Sequence, residues 1–156
     1  MREIIYKILV FLGLINEKKE IIREETIYQK RNLMTNYEYK FYQNIKELED
    51  EYQIVPQLNL AAVTKKINNN RYYSELFRNI DFAIFSKDYQ ELLLLIEIND
   101  QTHNNYNRRN RDMKVKKICN DIGVKLITFY TKYPNEKTYV INRIKNELDT
   151  NKDIDK

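Results

Sequence analysis

The stretch LLLLIEINDQTH, residues 92–103, limits the possible folds most. Aliphatic residues occupy every position from Leu92 to Ile96 and return at Ile98, so a strand here has no face free for water. Such a strand needs a layer of structure on both sides. The run then breaks into Glu97, Asn99, Asp100 and His103. Either the chain surfaces there into a polar loop, or the strand delivers ligands to a site.

The neighbouring segments supply the layers. Thr35 followed by Glu38 is a capping-box pattern, with Met34 placed to staple onto Tyr39, and Phe41, Ile45 and Leu48 recur at helical spacing. This predicts a helix over about 36–50. YQIVPQLNL, 52–60, reads as a strand near an edge or bulged at Pro56. KKINNNR marks a loop, and YYSELF reads as a short helical turn. IDFAIFS (80–86) and ELLLLIEI (91–98), joined by KDYQ, form a hairpin. A helix follows, with Val115, Ile118, Cys119 and Ile122 on one face and Gly123 at its end. VKLITFY, 124–130, is a strand that a right-handed crossover sets parallel to its partner. A last helix turns Val140, Ile141, Ile144 and Leu148 inward. The order is helix, three strands, helix, strand, helix, an α/β mixed sheet covered by helices.

Composition removes several classes. At 156 residues, 32 % charged and 42 % hydrophobic, the chain is suited to one soluble domain. The single cysteine excludes an internal disulfide, and no Cys/His cluster suits structural zinc. A reducing, cytoplasmic setting fits. The apolar segment at residues 4–15 is interrupted by Lys7 and shorter than the roughly 20 residues a membrane span needs. It reads as a helix packed on its own domain or a partner, or as a membrane-surface anchor. Residues 1–32 are thus an apolar helix and charged linker, 33–150 the domain, and 151–156 a frayed tail.

Two acids stand out by position. Asp81 opens one hairpin strand and Glu97 lies near the end of the other, so an antiparallel pairing brings them together. Convergent carboxylates bind a hard cation such as Mg²⁺. Asn99, two residues past Glu97, shares its strand face. The plainer readings are a helix cap for Glu38, a solvated strand end for Asp81, turn residues for Asn99 and Asp100, and a surface loop for His103. The run Arg108, Arg109, Arg111, Lys114, Lys116 and Lys117 is a solvated helix face or a phosphate-contacting surface. The net charge of +4 is compatible with a nucleic-acid partner.

The pattern of Asp81 on one strand and Glu97-x-Asn99 on the next resembles the PD-(D/E)xK nuclease superfamily with its lysine replaced. Over residues 33–130, the segments MTNYEYKFYQNI, VPQLNLAAV, IDFAIFS, IEINDQTH and RDMKVKKICNDIGVKLITF resemble the bacterial DUF2726 family, regarded as restriction-endonuclease-like. That family typically shows Glu-Leu-Asp-Asp-x-x-His where this chain has Glu97 to His103, and Asn99 is the departure. The resemblance implies a restriction-endonuclease-like mixed sheet. It implies a site in which Asp81, Glu97 and Glu38 hold Mg²⁺ or Mn²⁺ and Asn99 takes the lysine position. His103 would contact a phosphate or shuttle a proton, and Gln57 would match the family's Pro-Gln. Lys114 or Lys116 would supply the missing charge. The implied activity is hydrolysis of phosphodiester bonds in DNA or RNA by a metal-bound water. The alternatives are a non-catalytic nucleic-acid-binding module and a scaffold whose working part is a membrane or protein contact at residues 4–15.

Overall fold

The aliphatic run is an inner strand of a four-stranded sheet. The structure is a computed structural model that describes residues 2–13, 27–67, 75–100 and 106–152; of 2, 3, 6, 106–109 and 151–152 only the backbone is described. Residues 1–31 and 32–156 form separate compact units. The first contains α1 (Arg2–Phe11), which ends at Gly13 with φ 69° and exposes Ile4, Ile5, Ile8, Phe11 and Leu12. Among the described residues no helix is long and apolar enough to cross a membrane.

The second unit holds α2 (Asn36–Ile45), β1 (Gln53–Asn59), β2 (Asn79–Phe85), β3 (Leu92–Asn99), α3 (Tyr106–Asp121), β4 (Lys125–Tyr130) and α4 (Lys137–Lys152). The strands lie in the order β1-β2-β3-β4, antiparallel except for the parallel β3–β4 pair. This is the mixed sheet flanked by helices that the pattern predicts. Alternation along β3 sends Leu94 and Ile96 to one face and Leu95 to the other. The first face packs under α2 and α4 through Phe41, Ile45, Val140, Ile144 and Leu148, with Phe82, Ile84, Ile127 and Phe129. The second packs under α3 through Val115 and Cys119, with Ala83 and Phe85.

Several details differ from the sequence reading. The helix predicted over 36–50 is α-helical only to Ile45, and residues 46–50 tighten into a 3₁₀ helix that still buries Leu48. Met34 packs against the first core cluster, while Tyr39 is 55 % exposed. β1 is an edge strand, as the proline suggests, but the β1–β2 register runs unshifted past Pro56. The irregularity sits one residue later, at Gln57, with φ 53°. The β2–β3 bulge lies at the turn end of that hairpin, between Ile84 and Phe85. Half of YYSELF, residues 72–74, falls outside the described residues, and of the other half Glu75 and Leu76 form a turn.

The ladders have unequal lengths, and this positions the site. The β2–β3 pairing ends at Phe82↔Ile96. Yet β2 stays paired with β1 down to Asn79, and β3 stays paired with β4 out to Asn99. The sheet therefore forks beyond Phe82 and Ile96, with Asp81 on one branch and Glu97 on the other.

Candidate metal-binding site at the sheet fork

Asp81 closes the fork. Its Oδ2 accepts a 2.6 Å hydrogen bond from the Ile98 backbone N–H, which has no partner in the β2–β3 ladder. A side chain thus replaces a strand, and the carboxylate is fixed between the branches. That position is largely buried, and burial raises the Asp81 carboxyl to about 6. The Ile98 N–H opposes the rise, while the negative charges of Glu38 and Glu97 add to it. Glu38 also lies within hydrogen-bond reach of Asp81.

Glu38 arrives from the helix layer. Residues 38, 41 and 45 recur at helical spacing, so burial of Phe41 and Ile45 carries Glu38 onto the inward face of α2. The helix itself is clamped by aromatic contacts. Phe41 stacks 5.7 Å from Phe82 and lies 5.0 Å from Phe129, and Tyr42 stacks 6.4 Å from Phe82. At the helix start the predicted capping box is complete. Glu38 Oε2 accepts from the Thr35 backbone N–H at 2.6 Å, and Thr35 Oγ1 accepts from the Glu38 N–H at 3.3 Å. The other oxygen, Oε1, accepts from Gln57 Nε2 at 3.4 Å. The cap and the site therefore share one carboxylate.

Glu97 continues the Leu95 face of β3. Burial raises the Cys119 thiol to about 11, and the Glu97 charge adds to the rise. Asn99 lies inside β3, opposite Tyr130 of β4, rather than in a loop. Glu38, Asp81 and Glu97 are thus brought together. Gln57 joins them through a left-handed backbone that sequence spacing does not reveal; the dipeptide Pro-Gln in an edge strand was its one signal.

The basic face of α3 is divided. Arg111 and Lys114 line a small pocket of about 90 Å³ with Glu75, Arg78 and Val115. Lys117 is exposed and ion-paired with Asp121 at 2.6 Å, and Lys116 is exposed. Arg78, at the start of β2, is a cation of this pocket that the sequence reading missed. His103 lies outside the described residues, as do the side chains of Arg108 and Arg109.

Among the described residues no three His, Cys, Asp or Glu side chains form a ready-made metal cage. Glu38 is already engaged, its two oxygens accepting from Thr35 and Gln57. The all-oxygen donor set of Asp81 and Glu97 still suits Mg²⁺, which takes one or two carboxylates and completes its shell with waters and substrate phosphate oxygens. Crowded carboxylates with one proton held to about pH 6 are also the arrangement that a divalent cation relieves.

A family model described as "Protein of unknown function (DUF2726)" matches residues 30–150. No curated protein and no solved structure matches the chain.

Proposed function

Since the chain belongs to the DUF2726 family, and the match spans every element that builds the fork, we propose that the fork is the active site of a divalent-metal-dependent phosphodiesterase acting on DNA or RNA. The fold then belongs to the restriction-endonuclease-like class and the site to the PD-(D/E)xK type. The observation that carries the reading is the partly buried Asp81 carboxylate, held between two sheet branches by the Ile98 N–H, with the charges of Glu38 and Glu97 acting on it. Burying acids together costs stability, and a structural role does not require it.

A bound Mg²⁺ or Mn²⁺ would supply Lewis acidity and a water of lowered pKa. Asp81 and Glu97 would hold it. Glu38 orients Asp81 and is itself oriented by Thr35 and Gln57. Asp81 gives up its proton near pH 6, so its carboxylate is largely charged at neutral pH. Arg78, Arg111 and Lys114 offer positive charge for the backbone phosphates.

Asn99 supports the second reading, a binding module with the nuclease fold. It carries no charge where such nucleases carry lysine, and Lys114 faces Glu75 and Arg78 in its own pocket. Turnover separates the two. Single- and double-stranded DNA and RNA are incubated with Mg²⁺ or Mn²⁺, beside a Glu97→Gln control. Cleavage that falls at least 100-fold, roughly 3 kcal/mol of barrier, in the control is the expected result. Salt-sensitive binding without cleavage on any substrate would favour the module.

A further inference from the structure

Beyond the ends of β3 and β4, two exposed tyrosines flank a turn, Tyr133 in the loop 131–136 and Tyr139 in the first turn of α4. Tyr133 and Tyr139 are 55 % and 54 % exposed, and with Pro134, Asn135 and Glu136 they line a cavity of about 390 Å³. Exposed aromatic rings usually lie loosely on a surface, but these two are braced. Tyr133 sits edge-on to Tyr130 with centroids 6.5 Å apart, and Tyr139 edge-on to Phe129 at 6.3 Å.

The loop between them is held open by Asn135, the buried polar residue of the described core. Its Nδ2 donates to Tyr37 Oη and to the Tyr130 carbonyl, both at 2.9 Å, and its own carbonyl accepts from Asn44 Nδ2 at 3.3 Å. It adopts φ 46°, a left-handed conformation that costs a non-glycine residue free energy. This expenditure fixes the cavity without adding to the apolar core.

Two hydrogen-bonded connections lead from the cavity loop toward the elements of the fork. Tyr130 pairs with Asn99, and the Thr131 N–H donates to the Asn99 carbonyl at 3.1 Å, two residues beyond Glu97. In the other, Tyr37, bound by Asn135, is the chain neighbour of Glu38. Charge is placed around the rings. The Lys132 ammonium lies 4.9 Å from the Tyr133 centroid and 5.9 Å from that of Tyr130. Lys40 lines a smaller pocket that shares Pro134 and Asn135. Glu136 in the cavity wall disfavours a phosphate there, but it can accept from a base amino group.

We propose that the Tyr133–Tyr139 cavity stacks an unpaired nucleobase of the strand whose backbone crosses the fork, so that the protein selects single-stranded or locally unpaired nucleic acid. Base–aromatic stacking tolerates any sequence, and the flanking lysines suit the adjoining phosphates. The inference rests on the nucleic-acid reading of the fork, but not on turnover.

The test is fluorescence anisotropy of a labelled thymidine 12-mer, the matched duplex and a thymidine mononucleotide, in EDTA to prevent cleavage. The parent is expected to prefer the single strand over both. Tyr133→Ala should weaken single-strand binding roughly 5-fold or more, leaving duplex binding and thermal unfolding unchanged. Tyr133→Phe should restore affinity, and Tyr133→Leu should not, because apolar bulk without a ring does not stack. Tyr139→Phe, which keeps the packing on Phe129, should retain affinity. Equal binding of strand and duplex, tighter binding of the mononucleotide, or unchanged affinity in a folded Tyr133→Ala would overturn the inference. Single-strand preference without cleavage would leave it standing and remove the nuclease reading. Cleavage without that preference would do the reverse.

Discussion

Asp81 carries a raised carboxyl at the fork, and its consequence for stability has a definite sign. Its carboxyl titrates near 6 in the folded protein, above the ordinary carboxylate value. Between roughly pH 4 and pH 6 the native state therefore binds a proton that the unfolded chain has released. Stability linked to that proton is complete below the unfolded pKa and is lost as pH rises through 6. By pH 8 the loss is on the order of 2–3 kcal/mol. Asp81→Asn keeps an oxygen for the Ile98 N–H and removes the charge. Urea unfolding should show the variant more stable than the parent at pH 8 by up to about that amount, with the difference gone by pH 4. A pH-independent difference would mean that the effect is packing. Mg²⁺ should stabilise the parent at pH 8 and do so far less at pH 5, where it competes with the proton.

At this scale much was legible. Asp81 and Glu97 were readable from position because a hairpin brings its ends together. The Ile98 N–H was not, because it is free only where the ladder stops early. Gln57 was legible only through the Pro-Gln of the resemblance, because a left-handed residue inside an unshifted register leaves no trace in the hydrophobic pattern.

At the scale of elements, α2 links the fold to the site. Its existence followed from the capping box and from the spacing of Phe41 and Ile45, and the same spacing carries Glu38 inward. Thr35→Ala removes the hydroxyl that accepts the Glu38 N–H. It should cost about 1 kcal/mol of stability by denaturant unfolding. If Glu38 is positioned for chemistry as well as for capping, the same change should weaken cleavage beyond the stability loss, and Thr35→Ser should restore both. An activity loss that simply tracks the unfolded fraction would leave Glu38 as a cap. The fork and the tyrosine loop are the elements that pattern reading missed. Ladder length depends on which strands remain paired, and the 131–136 loop is shaped by Asn135 reaching Tyr37 and Asn44, both more than 90 positions earlier.

For the whole molecule, the strongest prediction concerns the division at residue 31. The sheet, both its covering layers, and the fork lie within 32–156, which forms a compact unit in its own right. In the other unit, Ile4, Ile5, Ile8 and Phe11 of α1 are exposed. A protein lacking residues 1–31 should therefore unfold within about 3 °C of the full chain, equivalent to under roughly 1 kcal/mol at this size. Its Mg²⁺ response and single-strand binding should be unchanged. Sedimentation with anionic vesicles should fall in the shortened protein if residues 4–15 serve as a surface anchor, because the exposed isoleucines and phenylalanine leave with them. A larger drop in the unfolding midpoint would mean instead that the helix completes a core. The apolar segment would then be part of the fold, and the anchor reading would fail. The sequence alone leaves these open, since a dozen apolar residues satisfy a core and an interface equally well. What distinguishes them is whether the rest of the chain already buries its own apolar faces, and here Phe82, Leu94, Leu95 and Ile96 are fully covered by α2, α3 and α4.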